Sequence, residues 1–306
     1  MAQAKRKEKS DERDGAVSVG TGTGDDQNPG APTSDWQRPA KLSTLARVVL
    51  VATVLLFNLP MLHYFLFRGA PAAGVNLPYS TDFSDFGVVE RDFFSTGGLW
   101  RTLGGELLSP GVKNNPLWLK AKLPQNVAVE FDARSMSPEG DVKVEIFGDG
   151  TDHASGYVLI QGGWNNSLSI IARLDEHGQP YGAIVAEAGR IARERRAEVV
   201  KESKNLSEQQ LNDKLKDITD DPVQTGVFRA DTRMRVEITP SIPVQLGKST
   251  HWRIERRDDT IIWFLDGREY GRFKDPIPLV GDHHDRFGFS SWEAQLLFDN
   301  LKVEAL

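Results

Sequence analysis

The chain has 306 residues, 39% of them apolar, and carries 37 Lys and Arg against 43 Asp and Glu with no cysteine. Disulfides and thiolate metal sites are therefore excluded. Setting aside the first 47 residues and Arg68 leaves 28 basic against 36 acidic side chains, a balance that argues against a nucleic-acid partner, which needs a basic patch to engage phosphates.

Residues 1–45 read as a disordered cytoplasmic tail. Stretches such as GAVSVGTGTGDDQNPGAPTSD hold too little apolar surface to offset chain entropy, and in KRKEKSDERD the acids alternate with the bases, as in a solvated spacer. Val48 to Phe67 is then twenty residues without an acid, Lys or Arg, closed by Arg47 and Arg68. A helix rising ~1.5 Å per residue over that length covers ~30 Å, the thickness of a bilayer's hydrocarbon core. Residues 46–68 are expected to form one transmembrane helix, with the lipid bilayer as partner of 48–67. Arg38, Lys41 and Arg47 precede the span and Arg68 alone follows it. That asymmetry puts the N-terminus in the cytoplasm and the C-terminal domain outside, in the periplasm if the source is a Gram-negative bacterium. Ala70-Pro-Ala72 loosely matches a cleavage site, but the region before the span is too long for a signal peptide, so a retained single-pass signal-anchor is expected. Asn58, Pro60 and His63 fall inside the span, where a lone helix has no pathway to line.

Residues 69–79 read as a linker and 80–306 as one folded domain. VAVEFDA (127–133), VKVEIFG (142–148), GYVLIQG (156–162) and SLSIIARL (167–174) alternate with period two. RMRVEIT (233–239), HWRIERR (251–257), TIIWFLDG (260–267), RFGFSSW (286–292) and LLFDNLKVEA (296–305) resume the pattern. Runs of this kind, separated by Gly, Pro, Asp and Asn, predict an all-β antiparallel sandwich. TIIWFL is apolar on both faces and is expected at the centre of a sheet, and Asp266-Gly267 marks a type I′ hairpin turn. Residues 186–222 interrupt the pattern with helix-forming composition. Ser207 and Gln210 make a capping box ahead of Leu211, Leu215 and Ile218, while the first, highly charged helix shows an apolar stripe too thin for burial. The insertion is either a decorated loop packed on the sandwich or an arm for a protein partner or self-association.

GLWRTLGGELLSP near the start of the domain and FGFSSWEAQLLFDNLKVEAL at its end resemble the concanavalin A-like lectin/glucanase superfamily, within it the bacterial branch with keto-disaccharide hydrolase-like domains. Trp100, Gly104, Gly105 and Leu107 match its W-x(n)-G-G-x-L opening, and Gly288 with Phe298-Asp299-Asn300-Leu301-Lys302-Val303 its closing strand. The resemblance implies a jelly roll of two curved antiparallel sheets with a sugar site on the concave face. The superfamily's hydrolytic E-x-D-x-x-E strand has its nearest match in Glu130-Phe-Asp132-Ala-Arg-Ser135, where the last acid is missing. The resemblance also raises Asp299 as a ligand of a structural calcium; no other cofactor is implied.

Among candidate site residues, Glu130 and Asp132 share one strand face, and Lys143 and Glu145 share a face of the next strand. Were those strands paired, they would form either a charged sugar-binding patch or a cross-strand salt ladder. Trp164, in GGWNNS beside Asn165, is placed either to stack on a sugar or to cap the core. His283-His284-Asp285 reads as a polar turn, since adjacent histidines on an extended chain diverge. The reading that follows is a membrane-anchored extracytoplasmic module that binds a glycan or cell-envelope polysaccharide, with Trp164, Asn165, Glu130, Asp132 and Glu145 as contacts. Its alternatives are a hydrolase acting on a glycoside or keto-disaccharide, and an assembly protein that docks through 186–222.

Overall fold

The computed structural model describes residues 42–66 and 73–306. The tail up to Lys41, the end of the expected span at Phe67 and Arg68, and Ala70-Pro-Ala72 lie outside the described residues. The chain divides into two compact units, Met1–Leu66 and Phe67–Leu306.

In the first unit a single helix covers Thr44–Leu66. It starts ahead of the apolar run because Ser43 caps it, its Oγ accepting the Ala46 amide at 3.2 Å. Apolar side chains such as Val49, Leu56 and Phe57 stand exposed around it, and by length and composition it could cross a membrane. Asn58 donates from Nδ2 to Val54 O at 2.7 Å, so the amide finds an acceptor within its own helix.

The second unit is a sandwich of two eight-stranded sheets. Sheet A runs β14 (Arg268–Lys274), β13 (Thr260–Leu265), β12 (Thr250–Arg257), β6 (Val127–Ser135), β16 (Leu296–Ala305), β4 (Glu106–Leu108) and β3 (Arg101–Leu103), with β1 (Tyr79–Thr81) also paired to β16. Sheet B runs β10 (Gln179–Pro180), β11 (Met234–Glu237), β9 (Leu168–Arg173), β8 (Tyr157–Gly162), β7 (Val142–Gly148), β15 (Arg286–Ser290), β5 (Leu117–Leu119) and β2 (Phe93–Ser95). Neighbouring strands are antiparallel except β10 and β11. The fold is an antiparallel jelly-roll sandwich with a helical insertion.

Alternation delivers the core. Val127, Val129, Phe131 and Ala133 of β6 point inward, as do Val144 and Ile146 of β7 and Phe287 and Phe289 of β15. Phe131 stacks on Trp252 at 5.4 Å and meets Phe289 edge-on at 5.4 Å. Beside them Arg173 and Asp275, both fully buried, form an ion pair (Nε to Oδ2, 2.8 Å). Tyr157 donates its hydroxyl to the same Oδ2 at 2.7 Å. The pin fastens the chain after β14 to β8 and β9 of the opposite sheet.

Several expectations change. TIIWFL is β13, one strand from the edge of sheet A rather than at its centre. Its outward Ile262 is only 6% exposed, so apolar residues on both faces reported cover, not position. Asp266 and Gly267 have φ of 49° and 75°, as a type I′ turn requires. The first inserted helix spans Tyr181–Glu202, starting before 186. Its thin stripe is buried after all: Ile184, Ala188 and Ala192, one turn apart, are each 0% exposed, because alanine allows close approach where a larger side chain would hold the helix off. The second helix, Glu208–Leu215, has the capping box, with Ser207 and Gln210 exchanging side-chain and backbone hydrogen bonds.

Candidate functional site

The site grows from the outward face of β7. Val142, Val144 and Ile146 enter the core, so Lys143 and Glu145 must face away from it, yet they are 1% and 0% exposed. The connection from β7 to β8 folds back over them. Asp149 Oδ1 accepts the amides of Thr151 and Asp152, both at 2.7 Å, and this turn sets His153 and Ala154 on Glu145. His153 Nδ1 lies 2.6 Å from Glu145 Oε1, and the Ala154 amide donates to Oε2 at 2.8 Å. On the other side His153 Nε2 is 3.5 Å from Glu176 Oε2, and Lys143 Nζ is 2.9 Å from that same oxygen. Lys143 also donates to Asn114 Oδ1 at 3.0 Å. Trp118 of β5 shares this face of sheet B, and only glycine admits it there. A Cβ on Gly148 or Gly288 would come within 2.4 and 2.8 Å of its ring.

The electrostatics follow from burial and pairing. Burial alone would lower the His153 pKa, but its bonds to Glu145 and Glu176 outweigh that and raise it to about 9. Burial would raise Glu176; the His153 imidazole at 3.5 Å and the Lys143 ammonium at 2.9 Å override it and hold the carboxyl at about 2. Asp141, at the head of β7, is pushed up to about 6, chiefly by burial. Its Oδ1 is buried without a hydrogen-bond partner, and the nearest cation, Lys143 Nζ, is 3.9 Å away. Asp141 and the preceding Gly140 both have positive φ, 53° and 76°. Gly140 is needed because a Cβ would meet Asn166 Oδ1 and Gly162 O at 2.8 Å.

Over this floor opens a pocket of about 280 Å³ lined by Glu139, Asp141, Lys143, Trp164, Glu176 and Trp292, with Asn165, His177 and Glu293 also on its wall. Trp164 is 40% and Trp292 39% exposed. Lys113 and Lys143 lie over the Trp292 ring, Nζ to centroid 4.9 and 5.8 Å. Trp164 meets the His177 ring edge-on at 5.7 Å. GGWNNS is a left-handed turn: Gly162, Trp164, Asn165 and Asn166 have φ of 65°, 51°, 58° and 59°. For an L-residue such as tryptophan this costs ~1–2 kcal/mol. Asn166 holds the turn, donating to Val244 O and accepting the Val244 amide, each at 2.7 Å. Ser167 Oγ donates to Trp164 O at 2.6 Å. The strained tryptophan is thus kept on the pocket wall.

Of the residues singled out from sequence, Trp164 and Asn165 line the pocket. Glu145 lies beneath it, both oxygens engaged. Glu130 and Asp132 are elsewhere: β6 pairs with β12 and β16, not with β7. Residues 136–141 carry the chain from one sheet to the other, so the outward faces of β6 and β7 look in opposite directions and the expected shared patch does not form. Glu130 instead pairs with Arg253. Asp132 lies 2.8 Å from His251 Nδ1 and accepts Asn300 Nδ2 at 2.8 Å. Asp299 sits opposite Asp132 in the β6–β16 ladder, its pKa raised by burial and by nearby Glu106, Asp132 and Asp82. Arg134 already engages Glu106, and Asp132 is held as described. These oxygens do not fit the six to eight ligands of a calcium ion, and among the described residues no group of three or more His, Asp or Glu is placed to hold a metal. Sequence reasoning missed Trp292, Asp141, His153 and Glu176. Trp292 closes the strand pattern RFGFSSW, and Glu176 lies in the polar run DEHG, which carries no local signal.

No family model matches the chain, and no curated protein matches it. Solved structures similar to it include the carbohydrate-binding module CBM66 from Bacillus subtilis, 13% identical with a TM-score of 0.44, covering 70% of this chain and 96% of that one. A Bacillus subtilis protein of unknown function with a galectin-like fold is 11% identical at 0.41, covering 76% and 97%. Sheep galectin-11 is 10% identical at 0.32, covering 63% and 98%. At these identities and TM-scores the likeness carries no argument about the ligand, which has to be argued from the residues of the pocket.

Proposed function

We propose that this chain is a glycan-binding protein anchored in a membrane by the helix Thr44–Leu66, with its sandwich on the extracytoplasmic side, and that the glycan enters the pocket between Trp164 and Trp292. The observation that carries this reading is Trp164 itself, half exposed on a left-handed turn that the surrounding hydrogen bonds hold in place. Strained residues cluster at ligand sites, and an exposed aromatic face suits the apolar face of a sugar ring. The volume is near the lower end of the ~300–1,000 Å³ usual for small-molecule sites, which favours one terminal sugar over an internal stretch of polymer. The anchor and its orientation rest on the apolar helix and on the excess of positive charge before it.

One observation favours a second reading, a glycoside-cleaving enzyme. Asp141 and Glu176 line the same pocket, and their surroundings push their pKa values to about 6 and about 2, the separation that a proton donor and a carboxylate base need.

The test is a glycan array probed with the full chain in nanodiscs, beside Trp164→Ala and Trp292→Ala. Binding weakened about ten-fold or more by either substitution supports the reading. Binding indifferent to both, or no binding across the array, overturns it. Turnover of a bound sugar that Glu176→Gln abolishes would carry the enzyme reading instead.

A further inference from the structure

The charges in the pocket do not cancel, and the surplus indicates what enters. Lys143 and His153 are the buried cations, and the buried carboxylates of Glu176 and Glu145 answer them. On the wall, Glu293 is paired with Lys113 at 2.9 Å. Two carboxylates remain. Asp141 is 8% exposed, with an oxygen buried and lacking a hydrogen-bond partner; Glu139 is exposed on the same wall. Native proteins rarely leave a buried carboxylate oxygen unsatisfied, because its desolvation is then uncompensated. The backbone spends positive φ at two consecutive residues to hold Asp141 there. A donor carrying positive charge, brought by the ligand, would complete this corner.

Resting on the glycan-binding reading, we infer that the pocket selects a terminal sugar bearing a protonated amine, such as an unacetylated hexosamine, with the ammonium held by Asp141 and attracted by Glu139. The sugar ring stacks on Trp164 or Trp292 while its ammonium supplies the donors that Asp141 lacks. An N-acetylated sugar offers an amide with no charge, and a uronate brings a carboxylate against two surplus negative charges.

The groups facing Asp141 are Lys143 from its own strand, His153 from the β7–β8 connection, Glu176 and His177 from the β9–β10 connection, Glu293 from the β15–β16 connection, and Glu139. As the pH falls through about 6, Asp141 gains a proton while Glu176 and His153 keep their charges. The preference for the amine then fades, and it should be absent at either pH in Asp141→Asn.

The experiment uses the full chain in nanodiscs and titrates three trisaccharides by tryptophan fluorescence at about pH 6.5, where Asp141 is mostly ionised and the sugar amine mostly protonated, and at pH 5: β-1,4-linked glucosamine, β-1,4-linked N-acetylglucosamine and α-1,4-linked galacturonate. The expected result is at least about ten-fold tighter binding of the glucosamine trimer at the higher pH, the scale of one charge-assisted hydrogen bond. The preference should shrink at pH 5 and collapse in Asp141→Asn. That substitution removes a buried charge whose oxygen has no hydrogen-bond partner and whose nearest cation is 3.9 Å away, so its melting temperature should equal or exceed that of the wild type. Glu139→Gln, on the exposed rim, should reduce the preference by a smaller factor. Equal binding of acetylated and unacetylated trimers, or tighter binding of the uronate, overturns the inference while Trp164-dependent sugar binding survives. If none of the three binds and the array is also silent, the glycan reading itself has failed.

Discussion

Replacing His153 with glutamine removes the cation shared by Glu145 and Glu176. Holding that imidazole at about 9 instead of its ordinary 6.5 is worth ~3 kcal/mol at 1.36 kcal/mol per pH unit. Because the folded-state value is raised, the contribution is fully present below pH 6.5 and is lost as the pH climbs through about 9. Glu176 behaves in the opposite sense: its lowered value stabilises the fold above pH 4.5, and that share disappears as the pH falls toward 2. Thermal unfolding of the full chain in detergent, followed by near-ultraviolet circular dichroism, reads both. At pH 6 His153→Gln should melt roughly 6–12 °C below the wild type, from ~2–4 °C per kcal/mol for a domain of this size, and the gap should close by pH 10. A gap that stays constant across that range, or none at pH 6, would show that the imidazole carries no charge in the folded protein.

Asn166→Ala should cost ~1–3 kcal/mol, from two lost hydrogen bonds to Val244 and a left-handed backbone that alanine tolerates less well. Faster amide exchange confined to residues 162–168 is its signature, and unchanged exchange there would refute the role given to Asn166. Asp275→Asn should cost ~3–5 kcal/mol by leaving the buried Arg173 guanidinium without its counter-charge. The double variant Arg173→Met/Asp275→Leu should recover most of that in urea unfolding; losses that simply add would show the two residues to be energetically independent.

Strands with strict alternation could be read directly, because burial of one face writes itself into the sequence with period two; VAVEFDA is an example. The three-residue strands β1 to β5 are too short to show a period and exist through their partners. The site was legible only where one residue advertised itself. Trp164 among glycine and asparagine had no strand face to occupy. Asp141, His153 and Glu176 are ordinary turn residues until the fold sets them against Lys143, and no local pattern encodes contacts between separate connections. Glu130 and Asp132 fell away for a similar reason: their patch with Lys143 and Glu145 required β6 and β7 to pair, and the chain crosses between sheets after β6.

The place of β16 bears on how the domain is made. Asn300 bonds to Asp132 across 168 residues of sequence, and β16 separates β6 from β4 and β1 within sheet A. Until residues 296–305 have emerged, β6 has one unpaired edge, and sheet A exists as the four strands β14 to β6, the pair β4–β3 and the lone strand β1, with nothing joining them. Such long-range pairing is slow to form, and an open edge invites other chains. During synthesis the chain would wait with that gap unfilled after residues 79–295 were already out. Loss of residues 296–305 would therefore take away the middle of a sheet, and its effect should resemble deletion of a core element.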